Sequence, residues 1–129
     1  NAILKFKPNI IYTHSSYDLN IDHQITNRAT MTAARPINKN YLSEIYSFEI
    51  LSSTEWSINR NNSFKPNHFV EISKFMDLKI KAIKKYTSEL RNEPHPRSIG
   101  MIKSLAKIRG SSCGVKFAEA FMLERKILK

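Results

Sequence analysis

The first regular signal along the chain is the run Ile10-Ile11-Tyr12, short and made of β-branched and aromatic residues, which predicts a strand buried on both faces. Beyond it, Ile21, Ile25, Ala29 and Ala33 recur at helical spacing until Pro36, which predicts a helix over 25–35 with Asp22 able to cap its free amides. Residues 44–51, rich in Ile45, Tyr46, Phe48, Ile50 and Leu51, read as a second strand that enters the polar turn Ser52-Ser53-Thr54-Glu55. A loop signal follows at 59–62, then a further short strand at 69–72.

From Ser73 the period changes. Phe75, Leu78, Ala82, Tyr86 and Leu90 step by three or four, while Lys74, Lys79, Lys81, Lys84 and Lys85 fall largely off that stripe. The pattern predicts an amphipathic helix, capped by Ser73, with a solvated basic flank. Pro94-His95-Pro96 then interrupts the helical signal and restricts the residue before each proline, so that His95 is expected to be extended. A last helix has Ser98 as its cap, Ile99, Ile102, Leu105, Ala106 and Ile108 as its apolar face, and Gly110 as its stop. Strand and helix signals mix over 115–128, and a strand around 118–123 is favoured.

Strands alternating with helices indicate an α/β fold. Parallel strands need crossover connections, and only residues 2–6 stand before the first strand, so the sheet is expected to be cut off on its N-terminal side. With 129 residues, 41% hydrophobic and 10% aromatic, the chain can bury one core: one domain, or the larger part of one. No apolar run approaches the ~20 residues of a membrane helix, and the start lacks the basic-then-apolar layout of a signal peptide. A soluble, cytoplasmic protein is expected. The single cysteine, Cys113, rules out an internal disulfide and a cysteine metal pair, so a zinc ion would have to use histidine and carboxylates. The net charge of +10 is either the footprint of a nucleic-acid or other polyanion partner, centred on residues 74–85, or the ordinary surface of a lysine-rich protein. No nucleic-acid motif accompanies it, and nucleic acid is not expected as a partner.

Candidate chemistry gathers in Asp18-Leu19-Asn20-Ile21-Asp22-His23, between the first strand and the first helix. In open α/β sheets, ligands bind beyond the carboxyl ends of the strands, which is where this turn would lie. Together with Thr13-His14 and Ile25-Thr26-Asn27-Arg28-Ala29, this stretch resembles the metal-site turn of the PIG-L/LmbE-like zinc-dependent N-deacetylases. The resemblance continues through Tyr46-Ser47-Phe48-Glu49, Ser53-Thr54-Glu55-Trp56, Pro94-His95-Pro96-Arg97-Ser98, Arg109-Gly110-Ser111 and Ala118-Glu119-Ala120-Phe121.

That resemblance implies the C-terminal part of a Rossmann-like, mostly parallel sheet flanked by helices, with residues 1–129 forming the C-terminal half of one deacetylase domain. It implies removal of an acetyl group from an N-acetylated amino sugar such as N-acetylglucosamine, or a similar amide, with zinc or another divalent metal completed by residues outside this chain. The His-Pro-Asp-Asp motif that supplies two ligands and the general base in that family does not occur in this sequence, so the isolated chain is expected to lack activity. A small-molecule sugar is the expected partner, and a homo-oligomer is compatible.

By the same resemblance His23 is the metal ligand, with Asn20 and Asp22 as catalytic candidates. Asn20 stands where the more widespread family form has a histidine; its amide can donate to an oxyanion but cannot shuttle a proton, which leaves His14, His95 or a group outside the chain for that task. Asp22 could orient an imidazole or simply cap the helix. Asp18 reads as a loop aspartate bonding its own backbone. His95 and Arg97 are substrate-binding candidates, Arg97 by its planar donor array or, alternatively, as a structural ion pair with Glu55 or Glu119. Trp56 could face a sugar ring, or sit in the core as indoles more often do. The competing readings are a basic polyanion-binding module and a non-catalytic remnant of the fold.

Overall fold

The computed structural model describes residues 2–37, 41–58 and 63–128, so the loop expected at 59–62 lies outside the described residues. In chain order the elements are α1 (Ala2–Phe6), β1 (Ile10–His14), α2 (Ile21–Ala33), β2 (Glu44–Phe48), β3 (His68–Glu71), α3 (Met76–Ile83), α4 (Ile99–Ser111) and β4 (Ala118–Lys126). The strands form one sheet in the order β1-β2-β4-β3, and the α/β class expected from the sequence holds. β1 and β2 run parallel, Ile10 opposite Glu44 through to His14 opposite Phe48. β4 runs antiparallel to β2, with a register shift between Ile45 and Tyr46. The chain divides into two units, Asn1–Asn67 with Phe121–Lys129, and His68–Ala120.

In the first unit side chains alternate across the strands, as the pleat requires. Ile45 is fully buried with Ala34 and Leu42, and Ile3, Ile11, Met31 and Tyr41 pack around them. On the other face Tyr12 stacks on Tyr46 with ring centres 5.4 Å apart and meets the ring of Phe121 at 5.1 Å. β1 is not buried on both faces: Ile10 and Tyr12 are exposed.

α2 starts four residues earlier than expected and turns a different face inward. Its predicted apolar row points outward at Ile21 and Ile25, and Asn27 is its buried residue. Specific hydrogen bonds account for the choice. Asn27 Nδ2 donates to the His14 carbonyl at 2.8 Å, Gln24 Nε2 to the Asp18 carbonyl at 2.7 Å, and the Thr13 hydroxyl meets that of Thr30 at 3.3 Å. A half-buried strand end and turn leave backbone groups that must be paired, and this polar face pairs them. The cap is Asn20 rather than Asp22: Asn20 Oδ1 accepts the Asp22 amide at 2.9 Å.

The second unit is built on Ile72, Met76, Ile80 and Ala106, with Ile99, Ile102 and Phe117 against them. α3 therefore buries Met76 and Ile80, four residues apart, and leaves Phe75, Leu78 and Tyr86 exposed, the reverse of the predicted stripe. It also stops at Ile83 instead of continuing to Leu90, as tighter bonds from Lys85 N to Ala82 O and Tyr86 N to Ile83 O close the turn. Ser73 does not cap it; its Oγ accepts the Phe117 amide at 3.3 Å. Ser98 does cap α4, accepting the Met101 amide at 3.2 Å.

Gly110 does not stop α4 but lies buried within it. A Cβ there would sit 2.6 Å from the Val115 carbonyl oxygen and 2.9 Å from the Lys116 carbonyl, backbone atoms that cannot swing aside. Gly110→Ala is therefore expected to destabilise the protein by about 1–3 kcal/mol despite alanine's better helix propensity, because forced overpacking outweighs that gain. Urea unfolding of the two proteins checks this as a lowered midpoint.

Candidate functional site

Parallel pairing places the carboxyl ends of β1 and β2 at the same end of the sheet, so the loops that follow them meet. The Leu19 amide bonds the Ser53 carbonyl at 3.2 Å. At the centre is the Asp18 carboxylate, 1% exposed. Its Oδ1 accepts the Asn20 amide at 2.9 Å and the Ser53 hydroxyl, and its Oδ2 accepts the Thr54 hydroxyl at 2.9 Å. His23 Nδ1 lies 3.1 Å from Oδ1, a contact of proximity rather than of hydrogen-bond alignment. Burial alone would raise the Asp18 pKa, but the donors from Ser53, Asn20 and Thr54, with the His23 ring beside them, outweigh it and hold the carboxyl below its ordinary value.

The loop after β2 is shaped to deliver those hydroxyls. Ser52 adopts a left-handed backbone, φ 69°, which is uncommon for a residue with a Cβ. The Glu55 carboxylate holds it there, accepting the Ser52 amide at 2.5 Å and the Ser53 amide at 3.3 Å. Thr54 Oγ1 also accepts the Ile50 amide at 2.8 Å, so one hydroxyl ties the loop both to its own strand and to Asp18.

His14, the last residue of β1, stacks on His23 with ring centres 4.2 Å apart and contacts Phe48 at 4.9 Å. Its Nδ1 is buried and has no hydrogen-bond partner among the described residues. Burial first, and the neighbouring His23 second, push the His14 pKa down, with Asp18 opposing them. A neutral ring beside His23 follows.

Of the residues singled out from the sequence, His23 sits in the first turn of α2 facing Asp18, Asn20 caps that helix, and Asp22 is exposed one position before His23. Trp56 is 47% exposed in the loop after β2 and is not a core indole. His95 and Arg97 belong to the second unit. His95 lies in a turn rather than an extended segment, and its Nδ1 accepts the Arg97 amide at 3.0 Å. Arg97 pairs with Glu89, not with Glu55 or Glu119; Glu119 takes Lys79 at 2.5 Å.

The sequence alone undervalues Asp18 and does not connect it to Ser53 and Thr54. The available signal is a buried-strand pair with an aspartate after one strand and adjacent hydroxyls after the other. Among the described residues no three His, Cys, Asp or Glu side chains converge where they could hold a metal ion. The pair His23 and Asp18 nevertheless has the form of one ligand with its support. Nδ1 faces a buried carboxylate, which leaves Nε2 as the nitrogen that could hold a cation.

No family model matches the chain. Its fold is similar to that of the conserved protein TT1542 from Thermus thermophilus, with a TM-score of 0.73 and 20% identity, covering 99% of this chain and 57% of that one. It is also similar to the N,N'-diacetylchitobiose deacetylase from Pyrococcus horikoshii, solved with its inhibitor MPG, with a TM-score of 0.70 and 20% identity, covering 96% of this chain and 48% of the other. The chain thus spans about half the length of these structures and carries a deacetylase-like fold, a mixed sheet flanked by helices. No helix among the described residues is long and apolar enough to cross a membrane.

The site makes stability depend on pH in two windows. The lowered His14 pKa means that the unfolded chain takes up a proton first as pH falls below 6.5, so stability declines from there through the folded value. The lowered Asp18 pKa adds stability that is present above 3.8 and is lost as pH falls through its folded value. Urea midpoints measured against pH should show both losses on acidification, His14→Gln removing the upper one and Asp18→Asn the lower. Ser53→Ala, which takes a donor from the buried carboxylate, should cost about 1–3 kcal/mol at neutral pH in the same measurement.

Proposed function

We propose that the chain is the C-terminal portion of a metal-dependent N-deacetylase domain of the PIG-L/LmbE type, which removes an acetyl group from an N-acetylated amino sugar or a similar amide. The observation that carries the reading is His23: an imidazole at the carboxyl end of a parallel strand pair, its Nδ1 turned to a buried carboxylate, in a fold shared with a diacetylchitobiose deacetylase. His23 would hold the cation through Nε2, and the other ligands and the general base would come from residues other than those described. We expect no turnover from these 129 residues alone. When bound, zinc or another divalent cation would supply Lewis acidity toward the amide carbonyl and an acidified water as nucleophile.

The chain's own residues then have distinct tasks. Asp18, 3.1 Å from His23 Nδ1, favours the proton on that nitrogen by its negative charge, and its bonds to Asn20, Ser53 and Thr54 hold the carboxylate in place. His14, held neutral, packs against His23 without adding a charge that would repel a cation. Asn20 spends its Oδ1 on the helix amide, so its Nδ2 remains as a donor for developing negative charge on the substrate carbonyl. Asp22 adds negative charge at the same turn, and the half-exposed Trp56 offers an apolar face to a sugar ring. Arg97, already paired with Glu89, is assigned no substrate contact.

Zinc titration by calorimetry and acetate release from N-acetylglucosamine and N,N'-diacetylchitobiose, both with the full natural protein, test the reading. Asp18→Ala should weaken zinc binding about 10–100-fold and His23→Ala at least as much, with acetate release lost in parallel. Unchanged zinc affinity in His23→Ala would overturn the ligand assignment.

A further inference from the structure

The second unit presents a surface that the proposed reaction does not use. α3 turns Met76 and Ile80 inward and leaves Leu78 and Ala82 outside, while Phe75 at its N-cap and Tyr86, just past its end, are exposed as well. Phe75 is 59% exposed, Leu78 64% and Tyr86 66%. Lys81 on the helix, and Lys74 and Lys85 just outside its two ends, are all exposed. Lys79, also on the helix, pairs its Nζ with Glu119. Asp77 is the one acidic side chain of α3. An aliphatic and two aromatic side chains are thus exposed in the company of lysines.

We propose that this face of α3 is a peripheral docking surface for an anionic lipid bilayer. A short helix whose exposed apolar side chains, with those at its two ends, are accompanied by lysines can lie in the interface plane, the apolar groups among the upper acyl chains and the ammonium groups at the headgroups. Charge complementarity commits the surface to anionic rather than neutral lipid, because each lysine near such a surface adds its own attraction. Lysine stems can also lie along apolar surface while their heads stay at the headgroup level. Leu78 and Ala82 on the helix distinguish this from a single-stranded nucleic-acid surface, where stacking asks for aromatic faces among the cations. α3 is short, 8 residues, so the attachment is weak and reversible.

Co-sedimentation of the full chain with phosphatidylcholine vesicles, and with vesicles of phosphatidylcholine and phosphatidylserine at roughly three to one, tests it. The expected result is binding to the second and little to the first, reduced by added salt in the unaltered protein. Lys81→Gln with Lys85→Gln should lower the partition about thirtyfold. Leu78→Ser, at an exposed position that leaves the core intact, should lower it as well, with circular dichroism unchanged. Absence of binding, or equal binding to both vesicles, would overturn the proposal. So would binding to a single-stranded oligonucleotide that exceeds vesicle binding and ignores Leu78→Ser. Neither zinc affinity nor acetate release enters these readouts, so this proposal and the enzymatic one fail separately.

Discussion

A carboxylate that is almost wholly removed from water has to be surrounded by donors, and that requirement organises the region around Asp18. Leaving an ionised carboxyl without partners in such a place would cost several kcal/mol. Here His23, in the first turn of α2, lies beside the carboxylate, while backbone and side-chain donors come from two pieces of chain: the turn after β1 and the loop after β2. Each of those pieces is shaped to deliver its donor. The Asn20 cap brings its own amide to Asp18, and the Glu55 clamp holds Ser52 in a backbone conformation it would otherwise avoid. The geometry at His23 follows from the needs of its neighbour.

Topology supplies the other half of the arrangement. Because β1 and β2 are parallel, their following loops emerge side by side, and two hydroxyls 35 and 36 residues from Asp18 in sequence can reach it. An antiparallel pair would have put those loops at opposite ends. The antiparallel β4 then closes the first unit on the far side of β2, where Ser47 Oγ meets Glu124 at 2.6 Å and Lys126 pairs with Glu44 at 2.9 Å.

The strands were legible in the sequence because β-branched and aromatic runs bounded by turns have few other uses: β1, β2, β3 and the start of β4 fall where the runs at 10–12, 44–51, 69–72 and 118–123 indicate. The Ser98 cap was legible for a similarly local reason. Helix faces were not. In α2 the decisive side chains are Asn27, Gln24 and Thr30, polar residues that a hydrophobic pattern counts as outward but that hydrogen-bond to the first strand and its following turn. In α3 two apolar rows compete, Met76 with Ile80 and Phe75 with Leu78, and only packing against Ile72 and Ala106 selects between them. Gly110 looked like an ending because glycine often is one; the close approach of residues 115 and 116 is a long-range fact that no local pattern contains. At the site, the position of His23 could be read from the chain, whereas the link from Asp18 to Ser53 and Thr54 depends on strand pairing.

The far end of α2 is fastened too. The Arg125 guanidinium donates to the carbonyl of Ala34, just past the last helical turn, where unsatisfied carbonyls and the helix dipole welcome a cation. These partners are 91 positions apart, with the whole of His68–Ala120 interposed between them. The helix that carries His23 is therefore anchored at its start by neighbours in sequence and at its finish by a residue from the last strand. During synthesis the 91 residues from Ala34 to Arg125 must leave the ribosome before that second anchor can form, so the His23 helix is secured at its finish later than at its start, however early its local turn takes shape.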